Sequence, residues 1–349
     1  MSRRLSSWPV ERSVNVVSLV VASQSVVASH AVVLRGLLVV DFTRYLPGPF
    51  ASRELLRLGA RVVRVETPDG DPLRSFAPGW DAALNAGKES VVWDLERDPG
   101  LGPALAARAD VVLEGFRPGI ADRLGVGAAA LPKSLVYCSV TGFGAGNLRA
   151  GHDLNYAGWA GLLADTAPAL PPVQIADLAG GSLFAVIEIL AALLERQRSG
   201  TGAHIVVSMT HNAHRLAAHR LRGEPERTLT GGLACYRTYE TADGRFLTVT
   251  AVESKFWQRL CELIGRPELV ERHYQEDQEA LAMELATVFR SRPLSEWLDL
   301  FEGEDVMAGP VATLTEASEW LGEGVASGSA AALGEHTERW RADLASFEG

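Results

Sequence analysis

Cysteine is scarce in this chain: three in 349 residues, Cys138, Cys235 and Cys261. No two form a CxxC pair and none has zinc-site spacing, so neither a disulfide framework nor a cysteine metal centre is expected. The three read as small buried hydrophobes. So sparse a set fits a reducing compartment and makes the cytoplasm the expected location. Long apolar runs are also missing. No stretch reaches 18 uninterrupted apolar residues, so no transmembrane helix and no membrane partner are expected. Positive charge is in deficit: 33 Lys and Arg stand against 43 Asp and Glu, a formal net charge of −10. A general nucleic-acid binder needs basic surface to meet backbone phosphates, so nucleic acid is not an expected partner. A phosphorylated small ligand remains compatible, because a few local arginines can hold phosphate inside a net-acidic protein.

Apolar residues make up 47% of the chain, enough for a sizeable core in one large domain or two. In residues 1–33, Arg3 and Arg4 precede a Val/Ser-rich run and Ala28-Ser29-His30-Ala31, which loosely outlines a signal peptide. Polar Asn15, Ser18, Ser23, Gln24 and Ser25 break its apolar centre, so the stretch is read as an N-terminal extension, disordered or outside the core. From Leu37 the pattern is regular. Strands are predicted at Leu37–Phe42, Arg61–Glu66, Ser90–Asp94, Asp110–Glu114, Leu135–Val140 and His204–Ser208. A Pro47-Gly48-Pro49 turn precedes a helix over Phe50–Leu58, and a second helix spans Leu101–Arg108. A third runs from a Ser182 cap to about Arg198 and is apolar nearly all round, as a buried helix is. Strands alternating with helices predict an α/β fold: a Rossmann-like large domain with a mostly parallel sheet covered on both faces. From about Leu229 the character changes. Two strands flank Asp243-Gly244, a hairpin signal, and helices follow at Lys255–Ile264 and Glu276–Arg290, which predicts a smaller α+β domain. The expected division is 1–33 extension, 34–225 large domain, 226–315 small domain and 316–349 a segment returning to the large domain.

Two motifs carry chemistry: Gly151-His152-Asp153-Leu154-Asn155-Tyr156 and Asp177-Leu178-Ala179-Gly180-Gly181-Ser182. An imidazole and a carboxyl group are what a one-base, one-acid proton exchange needs, since each can hold or lack a proton near neutral pH when its surroundings shift it. Gly180 and Gly181 would expose backbone N–H groups near a helix start, where developing negative charge is favoured. On spacing alone the same pair also reads as a capping residue and a turn residue. Gly142-Phe143-Gly144-Ala145-Gly146 mimics part of a dinucleotide fingerprint without completing it and is read as the loop leading to His152. His211 and His214 are three apart on a predicted helix, but nothing completes a ligand set, so no metal site is expected.

The two motifs resemble the active-site signatures of alpha-methylacyl-CoA racemases, a branch of the type III (family III) CoA-transferase superfamily. The resemblance begins at Leu34-Arg-Gly-Leu-Leu-Val-Val-Asp-Phe-Thr-Arg-Tyr-Leu-Pro-Gly-Pro-Phe. It continues through Leu58-Gly-Ala-Arg-Val-Val-Arg-Val-Glu-Thr-Pro, Asn85-Ala-Gly-Lys-Glu-Ser and Glu114-Gly-Phe-Arg-Pro-Gly to about Glu316, and reappears at Leu333–Leu344. It implies the family III CoA-transferase fold in an interlocked homodimer, a 2-methylacyl-CoA thioester as substrate, and no cofactor beyond the CoA of the substrate.

The resemblance also assigns residues. His152 and Asp177 match the acid/base pair that exchanges the α-proton through an enolate. Asp177 must then be protonated when it donates, which needs a raised pKa. Glu253, in Val249-Thr-Ala-Val-Glu-Ser-Lys-Phe, matches a glutamate that supports the histidine, and in the interlocked dimer it would come from the chain opposite to His152 and Asp177. Asp153 either orients the site or bonds locally. CoA contacts are implied for Arg64, the Asn85-Ala86-Gly87-Lys88 loop, Phe116 and Arg117, with Arg44 and Arg74 as further cations and Tyr156 near the thioester. The family has a longer segment before the C-terminal motif than this chain. Two alternatives stay open. One is a type III CoA transferase in which Asp177 attacks the acyl-CoA. The other is a non-catalytic member that binds CoA.

Overall fold

Valine-rich strands form the large sheet: β1 Leu38–Asp41, β2 Arg61–Glu66, β3 Glu89–Val92, β4 Val111–Glu114, β5 Val136–Thr141 and β6 His204–Ser208. All neighbours pair in parallel, in the order β3-β2-β1-β4-β5-β6. Strands buried on both faces need apolar residues at every position, and β-branched side chains suit that environment. The strand numbering runs outward on both sides from β1 and β4, so the topological switch lies between them. In such sheets the crevice outside the carboxyl ends at the switch is where ligands bind.

The computed structural model describes residues 33–223, 227–275, 277–322 and 328–346, which leaves all but Val33 of the expected N-terminal extension outside the described residues. The described chain forms two compact units, residues 33–219 with 328–346, and residues 220–322. The return to the large unit comes later than residue 316. The helix Leu314–Leu321 belongs to the smaller unit, where Glu316 pairs with Arg245 at 2.9 Å. The returning segment covers the open edge of β3. Gly334 N–H donates to Ser90 Oγ at 2.9 Å, His336 N–H to Ser90 O at 2.9 Å, and Val92 N–H to Thr337 Oγ1 at 3.0 Å. An edge strand left bare would present these groups to another chain.

In the smaller unit, β7 Tyr236–Glu240 and β8 Phe246–Thr250 pair antiparallel, with β9 Ala308–Pro310 beside β8. Gly244 takes φ 71° in the hairpin loop, a conformation that glycine adopts without strain. Trp257, Phe289 and Trp297 fill the core beneath this sheet.

Four helices of the large unit build the site. They are α1 Pro47–Arg57, α2 Asp153–Trp159, α3 Phe184–Ser199 and α4 Met209–Leu216. Two local expectations change. Pro47-Gly48-Pro49 is the first turn of α1 rather than a turn before it, because proline is tolerated where the N–H has no helical partner. Ser182 is not a cap. Helical backbone already begins at Ala176 in a π-helical segment, Ala176–Leu183, that runs into α3. Ser182 is buried inside it and donates to Pro47 O at 2.6 Å and Asp177 O at 3.1 Å.

The continuous helix Ala176–Ser199, 24 residues, contains an 18-residue window of mean hydropathy 1.9 and so matches a membrane span by length and composition alone, although no 18 of its residues are uninterruptedly apolar. The interruption by Glu188 hid it from a count of uninterrupted apolar residues. Ala185, Ile189 and Leu193 on one face join the core with Val136 and Cys138 of β5. Leu183, Ile187 and Leu194 are exposed.

Candidate active site

Asp41, the last residue of β1, folds the turn that follows. Its buried carboxylate accepts the N–H of Thr43 at 2.8 Å and the hydroxyls of Thr43 and Ser52. A Cβ at Gly48 would lie 1.9 Å from Thr43 Oγ1, so glycine there lets α1 close onto this turn. Loops leave the carboxyl ends of β1 (Phe42–Tyr45), β4 (Gly115–Pro118) and β5 (Gly142–His152). With Asn155, Tyr156, Asp177 and Met209 they line a cleft of about 910 Å³ at the switch point. A second hollow of about 160 Å³, walled by Val65, Trp93, Leu95 and Leu124, adjoins it and shares Phe42, Thr43, Arg44 and Phe116.

His152 and Asp177 are brought to the same cleft by two helix starts. His152 is the N-cap residue of α2; its N–H donates to Asn155 Oδ1 at 3.0 Å and its side chain is exposed. One carboxylate oxygen of Asp153, Oδ1, accepts the backbone N–H of Ala176 at 2.7 Å and of Asp177 at 3.0 Å. That bond pair caps the π-helical segment and seats Asp177 relative to α2. Asp177 is 9% exposed, and its Oδ1 has no hydrogen-bond partner. Burial, with a smaller push from the charge of Asp153, raises its carboxyl to about 7. Tyr156 is buried beside it. Its hydroxyl donates to Gly151 O, its ring packs edge-on against Phe143 at 5.2 Å, and desolvation and the charge of Asp177 raise its pKa.

The glycines near both motifs serve packing. A Cβ at Gly142 or Gly151 would lie 2.5 or 2.7 Å from Tyr156 Cε1. Gly142–Gly146 is thus a loop moulded around Tyr156. Gly180 and Gly181 do not front a helix start as expected. They lie within the π-helical segment, and a Cβ at Gly180 would meet Met209 O at 2.6 Å.

The cations divide. Arg44, Phe116 and Arg117 line the cleft, as does Tyr156, and no carboxylate pairs with either arginine among the described residues. The other implied CoA contacts do not line it. Arg64 is 2% exposed and sits among three carboxylates, 2.7 Å from Asp81, 3.3 Å from Asp71 and 3.4 Å from Glu66. Arg74 holds Glu66 through two nitrogens at 2.7 and 2.8 Å and donates to Ala331 O. Lys88 Nζ is buried against Pro49 O (2.8 Å), Ser52 Oγ (2.7 Å) and Asn85 Oδ1 (2.9 Å). Burial pushes it down to about 7. Asn85 is buried beside Asp81, and Gly87, at φ 81°, makes the turn that sends Lys88 inward. A buried guanidinium ringed by carboxylates cannot meet an external phosphate. Arg64, Asn85 and Lys88 are thus buried among partners inside the protein and Arg74 is tied to Glu66, whereas Gly87 is exposed; none of the five lines the cleft.

Glu253 lies in the smaller unit as the N-cap residue of the helix Ser254–Leu263, with its side chain exposed. Arg149, Asn147 and Thr43 line the cleft and were not singled out from sequence. The signal available for Arg149 was its place three residues before His152 with no acidic residue between. Among the described residues no three His, Cys, Asp or Glu gather into a metal-binding group.

The model of the CoA-transferase family III matches residues 34–331. The chain is 35% identical to alpha-methylacyl-CoA racemase of Mus musculus, over 82% of this chain and 79% of that protein. It is 32% identical to succinyl-CoA:glutarate CoA-transferase of Mus musculus, over 81% and 73%. The crystal structure of Rv3272 from Mycobacterium tuberculosis superposes with a TM-score of 0.74 at 30% identity, covering 88% of this chain and 98% of that one.

Proposed function

This chain belongs to the CoA-transferase family III, and on that premise we propose that it is an acyl-CoA racemase or epimerase acting on a 2-methylacyl-CoA thioester. One of His152 and Asp177 removes the proton from the α-carbon. The electron pair moves into the thioester carbonyl to give an enolate, and the other residue returns a proton to the opposite face. The observation that carries this reading is the state of Asp177: nearly buried, raised to about 7, with one oxygen unpartnered, in the cleft that also holds His152. A carboxyl group near 7 is available in both protonation states at neutral pH, which two-way proton exchange requires.

In this reading Arg44 and Arg117 hold the CoA phosphates, and the hollow beside Trp93 and Phe116 takes the adenine. Tyr156 lies at the thioester. No cofactor beyond CoA takes part. A second copy of the chain covers the exposed face of Leu183, Ile187 and Leu194, forming a homodimer in the cytoplasm, and Glu253 supports the imidazole.

The unpartnered Oδ1 of Asp177 also suits a nucleophile, and transferases stand among the relatives, so a CoA transferase forming an aspartyl anhydride is the second reading. Incubation of 2-methylacyl-CoA thioesters in D2O separates the two. The racemase incorporates deuterium at the α-carbon, and both His152→Ala and Asp177→Ala abolish it. A hydroxylamine-trappable adduct at Asp177 without α-deuteration decides for the transferase.

A further inference from the structure

Among the described residues of the large unit, Tyr45 is the only non-glycine with a left-handed backbone, at φ 67°. In that conformation the Cβ of an L-residue crowds a carbonyl oxygen, and a bulky side chain keeps it only where neighbouring structure holds it. The hold is visible here. Tyr45 N–H donates to Asp71 Oδ2 at 3.0 Å. That carboxylate is itself fixed: it is buried, its Oδ1 accepts the N–H of Leu73 at 2.9 Å, and its Oδ2 lies 3.3 Å from Arg64 Nη2. The loop is anchored again on either side of Tyr45. Thr43 N–H donates to Asp41 at 2.8 Å, and Pro47 O accepts from Ser182 Oγ at 2.6 Å.

Internal packing does not account for a tyrosine at this position. Tyr45 is 40% exposed, and its hydroxyl has no hydrogen-bond partner among the described residues. Glycine would take the same backbone without strain, as Gly70 does at φ 75°. What the side chain does face is the cleft. Arg44 is shared by the cleft and the adjoining hollow, whereas Tyr45 lines the cleft alone. Beyond it, Ser182 Oγ ties Pro47 O to the backbone oxygen of Asp177. Along the loop, Tyr45 therefore stands between the cation at the hollow and the anchor at Asp177. With phosphates at Arg44 and the thioester at Asp177, the part of the ligand that passes Tyr45 is the uncharged pantetheine arm, a thin chain of methylenes and amides. An aromatic ring with a free hydroxyl can pack on the methylenes and bond an amide.

We propose that Tyr45 is a binding residue for the pantetheine arm, held by Asp71 in a strained backbone, so that this loop gives up stability for its grip on the ligand. The inference rests on the proposed reading of the cleft as an acyl-CoA site. It is tested by binding, which does not depend on which reaction follows.

Tyr45→Gly separates this role from a purely structural one, because stability and affinity then move apart. Glycine relieves the left-handed backbone and removes the ring. The variant melts at or above the temperature of the parent, yet binds CoA about tenfold more weakly in calorimetry, the size of one lost aromatic contact. Tyr45→Ala keeps the strain without the ring; it loses the same affinity and melts below Tyr45→Gly. Tyr45→Phe retains most of the CoA affinity. Adenosine 3′,5′-bisphosphate, which lacks the arm, binds the parent and Tyr45→Gly equally. Unchanged CoA affinity in Tyr45→Gly overturns the proposal. So does an equal loss for both ligands, which places Tyr45 on the nucleotide, and so does a Tyr45→Gly melt well below that of the parent, which gives the tyrosine to the fold. If the parent binds CoA with the expected Tyr45 dependence but α-deuterates no 2-methylacyl-CoA, the racemase reading falls and this inference stands. A parent that binds neither ligand removes both.

Discussion

Oδ1 of Asp153 accepts the backbone N–H of Asp177 at 3.0 Å, so the residue that seats the acid also sets its charge. The same carboxylate is the second cause, after burial, of the raised Asp177 pKa. Asp153→Asn keeps an acceptor at Oδ1 and removes the negative charge. The expected outcome is a near-normal melting temperature with the Asp177 titration moved acid-ward, read from the pH profile of kcat/KM. A profile identical to that of the parent protein would show that the charge of Asp153 does not reach Asp177.

The pH profile itself distinguishes the two reactions. In proton exchange the two productive forms, His152 neutral with Asp177 protonated and the reverse, carry the same single proton. Both directions must therefore share one bell-shaped profile. Its alkaline limb, where that proton leaves the pair, lies no lower than about 7, the value of the buried Asp177. A nucleophilic Asp177 has to be ionised, so transferase activity would instead rise through about 7 and stay level. Rates measured in both directions from pH 5 to 9 settle the matter.

Asp177 also makes stability depend on pH with a definite sign. Its folded pKa, about 7, lies above the 3.8 of an ordinary aspartate. Between these values the folded chain keeps a proton that the unfolded chain releases, so stability falls as pH rises from about 4 to about 7. Asp177→Asn carries no charge to desolvate. It matches the parent near pH 4 and is more stable by roughly 2–4 kcal/mol above pH 7. Urea denaturation at pH 4.5 and pH 8 measures the difference, and an Asn variant less stable at pH 8 would contradict the assigned environment.

Lys88 was expected at a CoA phosphate and lies instead under α1. Removing it leaves the Asp41 carboxylate buried without a cation; the ammonium lies 3.9 Å away. Lys88→Met should cost about 3 kcal/mol in unfolding free energy while the folded protein retains its CoA affinity. A variant of unchanged stability that binds CoA weakly would return Lys88 to the ligand.

Much of this was legible in the chain. Runs such as Arg61-Val-Val-Arg-Val-Glu have the valine density of strands buried on both faces, and β2 spans those residues. The hairpin about Asp243-Gly244 forms because glycine takes the left-handed backbone there. The start of the long helix was misplaced because Ser182 has the chemistry of a cap. The cap is supplied from a distance: Asp153 reaches across to Ala176 and Asp177, which no local pattern announces. The burial of Ser182 against Pro47 follows from the same long-range packing.

Sequence by itself determined the strand and helix sites, the glycines at tight turns, and the two motifs that carry His152 and Asp177, because each is written in neighbouring residues. Tertiary structure alone decided which arginines face the cleft. Arg64 lies within β2 and Arg117 in the loop after β4 of the same sheet, yet one is enclosed by Asp71, Asp81 and Glu66 and the other borders the cleft. Whether a charge is neutralised inside or left for a ligand depends on carboxylates brought from other parts of the chain, and their arrival is a property of the packed molecule.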